Sequence, residues 1–297
     1  MAQSIEYIGP GEMMAVGSSL LFSLTLVALR YGMRSGTPIA AVLVINVIVG
    51  VGGLTASLFR GTLQTSGLAP IFWFAVGGAI AQGVGTVTHV IGIERLGVSR
   101  STLIHSSTPL WGVLFAIVAL GERPTALVLL GTVCIVGGVS LLTFPEEDEA
   151  RDFGSWFRGA LIFPLVSSLA YAFLPIFSKF AFAHQKTPMA GVAVAYAAGT
   201  VVLLAGRRLL SGGGELRATR QGLLWFTLAA GFNVLAAALF WTALMVGDVS
   251  TVLPLSRLYP LFVVFLSYFF LGKMERITGR IVLSAVLVMT GGVLIVA

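Results

Sequence analysis

Charge is scarce in this chain. Of its 297 residues, 10% are Asp, Glu, Lys or Arg and 57% are apolar, whereas soluble domains carry about 25% charged residues. A soluble protein this apolar would expose large sticky patches, so the composition places the chain in a lipid bilayer. There is one cysteine, Cys134, inside an apolar run. That excludes an internal disulfide and a thiolate-built metal site, and Cys134 reads as a packing residue. Lys and Arg are absent from Met1 to Gly11, so the charged start of a signal peptide is not expected there. No pair of acids sits within one apolar run, and no two histidines stand at i, i+4. An intramembrane enzyme would need such a nucleophile–base pair or metal motif. No catalytic residue, metal, cofactor or nucleic-acid partner is expected. The expected partners are the lipid bilayer and a small molecule; a monomer is plausible, and the sequence does not set the oligomeric state.

Apolar length is what the chain has in abundance. A helix needs roughly 20 apolar residues to cross a bilayer. That ruler marks ten spans, at about 12–29, 38–58, 69–93, 99–120, 124–143, 157–182, 188–206, 221–246, 250–271 and 277–297. Several joints are only a few residues long, which makes neighbouring helices antiparallel. Thirteen cations fall on the side that faces the joints after spans 1, 3, 5, 7 and 9: Arg30, Arg34, Arg95, Arg100, Arg151, Arg158, Arg207, Arg208, Arg217, Arg220, Lys273, Arg276 and Arg280. Arg60, Arg123, Lys179 and Lys186 fall on the other side. The excess of Lys and Arg marks the cytoplasmic side. Both termini are therefore expected on the non-cytoplasmic side of the cell inner (plasma) membrane.

The chain also repeats itself. Ser99 matches Ser250 and Pro109 matches Pro260 at an offset of 151, and Glu122-Arg123-x-Thr125 matches Glu275-Arg276-x-Thr278 at 153. Thr37-Pro38 and Thr187-Pro188, opening spans 2 and 7, match at 150. Repeats of this period are architecture. The reading is two five-helix units, residues 1–145 and 157–297, joined by an acidic cytoplasmic linker at 146–156 that contains Glu146-Glu147-Asp148-Glu149. Five spans per unit force the second to insert upside down. The expected fold is all-α: ten transmembrane helices as two inverted five-helix repeats, with a site near midplane between them.

Polar groups in hydrocarbon are costly and face a cavity or a partner helix. Span 3 places Gln82, Thr86 and His89 on one helix face, and span 4 carries His105. Asn46 in span 2 stands at the repeat offset from Tyr196, Gln82 from Asn233, and Ser18 from Ser168. Arg257 is the sharpest case. It lies about 10 Å along span 9 from the outer end, with no Asp or Glu deeper in any span than Glu12 at the start of span 1 to neutralise it. A central Arg costs roughly 2.5–3.5 kcal/mol on insertion scales. Its readings are a guanidinium fork for an anionic group, a carboxylate first, or a side chain that snorkels to the outer interface. Tyr171, Tyr259 and Trp241 could pack a substrate ring or ammonium. Pro109 and Pro260 each remove a helix hydrogen bond and serve equally as hinges or static kinks.

Pro109, Leu120-Gly121-Glu122-Arg123-x-Thr125 and Gly137-Gly138, with their second-half echo, resemble the EamA family of the drug/metabolite transporter superfamily. The second turn departs from the pattern, as Gly272-Lys273-Met274-Glu275-Arg276. The resemblance covers essentially the whole chain. It implies a metabolite or amino-acid exporter with a cavity between the halves, working by alternating access, and it is nearest to the exporters that accept aromatic amino acids.

The expectation is thus an amino-acid exporter. Arg257 takes the carboxylate, while His89, His105, Gln82, Asn46 and Asn233 give polar contacts. Tyr171, Tyr259 and Trp241 give aromatic surface. With no carboxylate deeper in a span than Glu12 to bind Na⁺ or carry a proton, facilitated or exchange transport is expected before His-linked proton coupling. A sugar-phosphate or nucleotide-sugar exchanger would want more than one buried cation, and an exporter of lipophilic cations would want an acid.

Overall fold

The computed structural model describes residues 9–62, 67–143, 160–210, 214–271 and 279–297. The expected linker at 146–156 and the second-half turn from Gly272 to Arg276 lie outside the described residues. The described residues form helices and no strand, with a single bridge between Gly36 and Ala218. A bilayer offers backbone groups no water, and a helix satisfies them within itself.

Helix α1 runs Pro10–Gly32 and α2 Pro38–Phe59. Helix α3, Leu68–Leu96, passes through a π-helical turn at Ala79–Gly85. Helix α4 is broken into Val98–His105 and Thr108–Phe115, the latter ending in a π turn at Ala116–Leu120. Then come α5, Ala126–Thr143, α6, Ile162–His184, α7, Pro188–Gly206, and α8, Arg220–Val246. Helix α9 is again broken, into Val249–Ser256 and Tyr259–Leu271, and α10 is Gly279–Val296. Proline stands in the first turn of α1, α2 and α7, where its missing N–H has no intrahelical partner to lose.

Among the described residues, nine of these helices are long and apolar enough to cross a membrane; Ala126–Leu142 in α5 is apolar but shorter. The ten expected runs are therefore all helical, and nine meet the length and hydropathy of a span.

Packing follows one rule applied twice. Helix α1 packs on α8, and α3 on α6; α2 meets α7, α5 meets α10, and the halves of α4 and α9 nearest their shared end meet each other. Helix α4 also lies along α6, as α9 lies along α1. Each contact except that between the halves of α4 and α9 maps onto another, or onto itself, when the first five helices are exchanged for the last five.

Close approach requires glycine at particular seams. A Cβ on Gly78 of α3 would lie 2.1 Å from the Ala195 carbonyl oxygen of α7. Gly131 of α5 faces Gly291 of α10 in the same way, and a Cβ on either would lie 2.6 Å from the other's carbonyl oxygen. The Ser284 hydroxyl of α10 donates to the Gly138 carbonyl of α5, reinforcing that seam.

The two ends of the bundle are tied differently. At the arginine-rich end, the turn after α1 is bound to the segment before α8. Thr37 N donates to Arg217 O at 2.8 Å and Thr219 N to Ser35 O at 2.9 Å. Arg280 Nε also donates to Leu141 O at 2.6 Å there.

At the opposite end, Gly121 takes a left-handed turn, φ 71°, and aims Glu122 at the start of α9. The Glu122 carboxylate accepts from Val249 N at 2.8 Å and Ser250 N at 2.9 Å. Lys179 Nζ donates to Gly247 O at 2.6 Å beside it. A carboxylate there satisfies orphan N–H groups and complements the helix dipole. Glu122→Gln keeps only one accepting oxygen and no charge. It is expected to cost about 1 kcal/mol, read as a lower melting temperature of the purified protein in detergent.

Candidate functional site

Both broken helices break at the same repeat position. Helix α4 is interrupted at Ser106 and Ser107, α9 at Arg257 and Leu258, again 151 residues apart. The cause lies in the following prolines. Pro109 and Pro260 have no N–H, and their rings push away the carbonyl four residues earlier, which belongs to His105 and Ser256. In α4 the freed His105 carbonyl accepts from Thr108 Oγ1 at 2.6 Å. Side chains of the break itself bond back onto the first half, Ser106 Oγ to Leu103 O at 2.6 Å and Ser107 Oγ to Ile104 O at 2.7 Å. Ser256 Oγ does the same to Leu253 O at 2.7 Å. Ser168 of α6 holds the α4 break from outside, 2.9 Å from Ser107 Oγ and 3.2 Å from Thr108 Oγ1.

The α9 break turns Arg257 toward a central cavity. Its walls are Ser18 and Phe22 of α1, Gln82 of α3, Tyr171, Leu174 and Pro175 of α6, and Tyr196 of α7. Asn233, Ala236, Ala237, Phe240 and Trp241 of α8 and Leu253, Ser256 and Tyr259 of α9 complete it. The cavity encloses about 140 Å³. Arg257 also borders a second, smaller pocket of about 20 Å³, shared with Thr102, His105, Ser106, Pro109 and Tyr259. Arg257 therefore faces internal space from both sides. Its Nε is buried without a hydrogen-bond partner among the described residues, and no described carboxylate pairs with it.

The rest of the wall is polar at one place and aromatic at others. Tyr196 OH lies 3.5 Å from Asn233 Oδ1, a long contact, and Ser18 Oγ donates to Ala236 O at 2.8 Å. Tyr259 meets Phe22 edge-on at 5.0 Å. Trp241 is 1% exposed, wedged against Phe74 at 5.6 Å and Phe182 at 6.4 Å. It is packed into the wall, with little of its surface open to the cavity.

Of the residues singled out from sequence, Arg257, Gln82, Asn233, Tyr171, Tyr259 and Trp241 come together on this one cavity. His105 and Pro109 sit on the adjoining pocket. His89 lies behind His105, its ring centroid 4.4 Å from the other's, and is not on the cavity wall. Asn46 is separated from the group altogether. It is 4% exposed and borders a different groove, between α2 and α7, with Val47 and Val51, which are each 52% exposed. Pro260 follows the α9 break without lining either pocket. Tyr196, Ser18, Phe22, Phe240 and Ser256 belong to the wall and were not singled out. Ser18 and Tyr196 carried a signal, since both stand at the repeat offset from another polar residue. The phenylalanines carried none in a chain with 20 of them.

The family model for the EamA-like transporter family matches residues 9–144 and again residues 158–297. The chain belongs to the EamA-like transporter family. It is thus a multi-pass membrane protein of a transporter family, built from two family repeats. No curated protein matches it. A solved structure, described only as the crystal structure of a protein, is similar with a TM-score of 0.77 at 18% identity, covering 96% of this chain and 95% of that one. At that identity the likeness is one of fold. The turn Gly121-Glu122-Arg123 has a physical role in this chain: it is the segment that caps α9 with Glu122.

Proposed function

We propose that this EamA-like transporter exports amino acids or similar small carboxylates across the inner membrane. Access to the central cavity would alternate between ten crossing helices arranged as two inverted repeats. The observation that carries the reading is Arg257, an unpaired guanidinium on an aromatic-walled cavity with no described carboxylate beside it. Membrane insertion of such a group is costly, and a substrate carboxylate would complete its fork with charge-assisted hydrogen bonds. Asn233, Tyr196 and Gln82 supply neutral acceptors for an ammonium group. Phe22, Phe240, Tyr259 and Trp241 supply apolar surface for a side chain.

The matched breaks in α4 and α9 support the alternating movement. The α9 break borders the cavity and the α4 break the smaller pocket beside it, and both are set by a proline, so Pro109 and Pro260 act as hinges. Pro109→Ala restores a backbone hydrogen bond across the α4 break. It is expected to slow exchange several-fold with little change in the half-saturating concentration, measured by initial rates in proteoliposomes. The helix pairing supports ten crossings with the shorter α5 paired to α10. The arginine-rich end supports a cytoplasmic face there and both termini on the other side.

Counterflow tests the function. Proteoliposomes preloaded with mixed unlabelled amino acids should transiently accumulate labelled phenylalanine above empty vesicles. Counterflow with a phosphate ester or a lipophilic cation, and none with amino acids, would replace the proposed substrate class.

A further inference from the structure

We propose that the His89–His105 pair is a proton site filled together with the substrate, so that a carboxylate on Arg257 and one proton cross the membrane together. This rests on the reading of Arg257 as the carboxylate anchor.

The two histidines are 16 residues apart in the chain and on different helices, yet their ring centroids lie 4.4 Å apart, inclined at 45°. His105 Nδ1 faces Ser167 Oγ of α6 at 3.2 Å. The His105 ring meets Tyr171 edge-on at 5.3 Å, and Tyr171 OH lies 2.8 Å from Thr86 Oγ1. His89 Nδ1 is buried with no hydrogen-bond partner among the described residues. A neutral imidazole has one donor and one acceptor nitrogen, and a protonated one has two donors. Two imidazoles in contact, one with an unused nitrogen, are a place where a proton can be taken up and passed on.

The pair is connected to the substrate site. His105 and Arg257 border the same small pocket, whose volume of about 20 Å³ suits a single water. The titratable or charged groups facing the histidines from neighbouring helices are Tyr171 of α6 and Arg257 and Tyr259 of α9. The α5 wall of that pocket is Ile135, Val136 and Val139. No described carboxylate lies among them. A proton on the empty carrier would therefore add a second positive charge beside the guanidinium in apolar surroundings. A substrate carboxylate on Arg257 supplies the missing negative charge. Binding of substrate and proton then favours each other, and linkage makes the effect reciprocal.

The proton comes from water on the loading side, where an imidazole nitrogen lone pair accepts it. It returns to water when the carboxylate leaves on the other side, and no redox step is involved. Because the proton leaves with the substrate, the driving force is the sum of the substrate gradient and the proton gradient: an acidic lumen on the loading side accelerates outward flow, and an inward proton-motive force opposes it.

The test uses full-length protein in proteoliposomes with a trapped pH-sensitive dye, the membrane potential clamped at zero, and phenylalanine as the probe. Outward phenylalanine flow should alkalinise the lumen with a stoichiometry near one proton per phenylalanine. His89→Asn should, by the same linkage, bind phenylalanine more weakly, and it should lower the number of protons moved per phenylalanine by at least about tenfold. Phenylalanine flux without proton movement in the wild type would overturn the proposal and leave the transporter reading standing. An unchanged number of protons per phenylalanine in His89→Asn would overturn it as well. Should that variant not fold, the wild-type stoichiometry decides alone. Absence of phenylalanine counterflow in the wild type would instead refute the carboxylate reading on which the proposal rests.

Discussion

Replacing Arg257 by Ala is expected to weaken phenylalanine binding by about 10- to 100-fold, the worth of a charge-assisted hydrogen bond of roughly 1.5–3 kcal/mol. The argument runs from the fold. A break in α9 turns this side chain to the central cavity, where Tyr259 and Ser256 flank it and no described acid neutralises it. A structural arginine in such a place would hold a carboxylate or several carbonyls, and its Nε has no partner among the described residues. Arg257→Lys keeps the charge and loses the planar fork, so its deficit should fall between those of the wild type and the alanine variant. Because Arg257 is inserted into a bilayer at a cost, the alanine variant should be at least as stable as the wild type. Stability and transport therefore move in opposite directions, which separates a binding role from a structural one. Half-saturation in counterflow and the melting temperature in detergent, measured on the same preparation, check both.

The second large effect is structural. Gly78→Val is expected to cost more than about 3 kcal/mol, above the usual range for overpacking. In most cores a neighbouring side chain yields to an added methyl group. Here the neighbour is main chain: a Cβ on Gly78 would lie 2.1 Å from the Ala195 carbonyl oxygen and 2.3 Å from its Cα. Helices α3 and α7 must separate, and both carry walls of the cavity, Gln82 and Tyr196. Gly137→Val is the control, since nothing lies within 4 Å of its Cβ position. Gel filtration in detergent after a temperature series should show early loss of the monodisperse peak for Gly78→Val and none for Gly137→Val. Equal behaviour of the two would refute the seam.

Much of this architecture was readable in the chain because a bilayer imposes its own ruler. Apolar runs of the right length had to be helices, and the ten runs are helical to within a few residues at most ends. The breaks in α4 and α9 fall beside the matched prolines Pro109 and Pro260 that the sequence offered as hinges or kinks, but proline alone did not mark a break, since Pro175 stands inside the unbroken α6. Arg257 stood out because charge in hydrocarbon is rare.

What sequence could not show was which residues meet. His89 and His105 touch across α3 and α4, and nothing in their spacing says so. Asn46 and Tyr196 stand at matching repeat positions, yet Tyr196 lines the cavity and Asn46 the groove between α2 and α7. Repeat offset identifies equivalent places in the two units; it does not say which of them borders the cavity in one conformation. The π turn at Ala79–Gly85 was equally silent. Of the Gly137-Gly138 pair, only Gly138 packs tightly, where a Cβ would lie 2.6 Å from Val288.

The measurement that bears most directly on the central cavity is competition against labelled phenylalanine counterflow by three compounds of one shape: phenylalanine, 3-phenylpropionate, which lacks the ammonium, and phenylalaninol, which lacks the carboxylate. An Arg257 anchor predicts that both carboxylates compete and that phenylalaninol is weaker by at least about tenfold. Phenylalaninol competing as well as phenylalanine would contradict the account, because the guanidinium would then be no part of what holds the substrate.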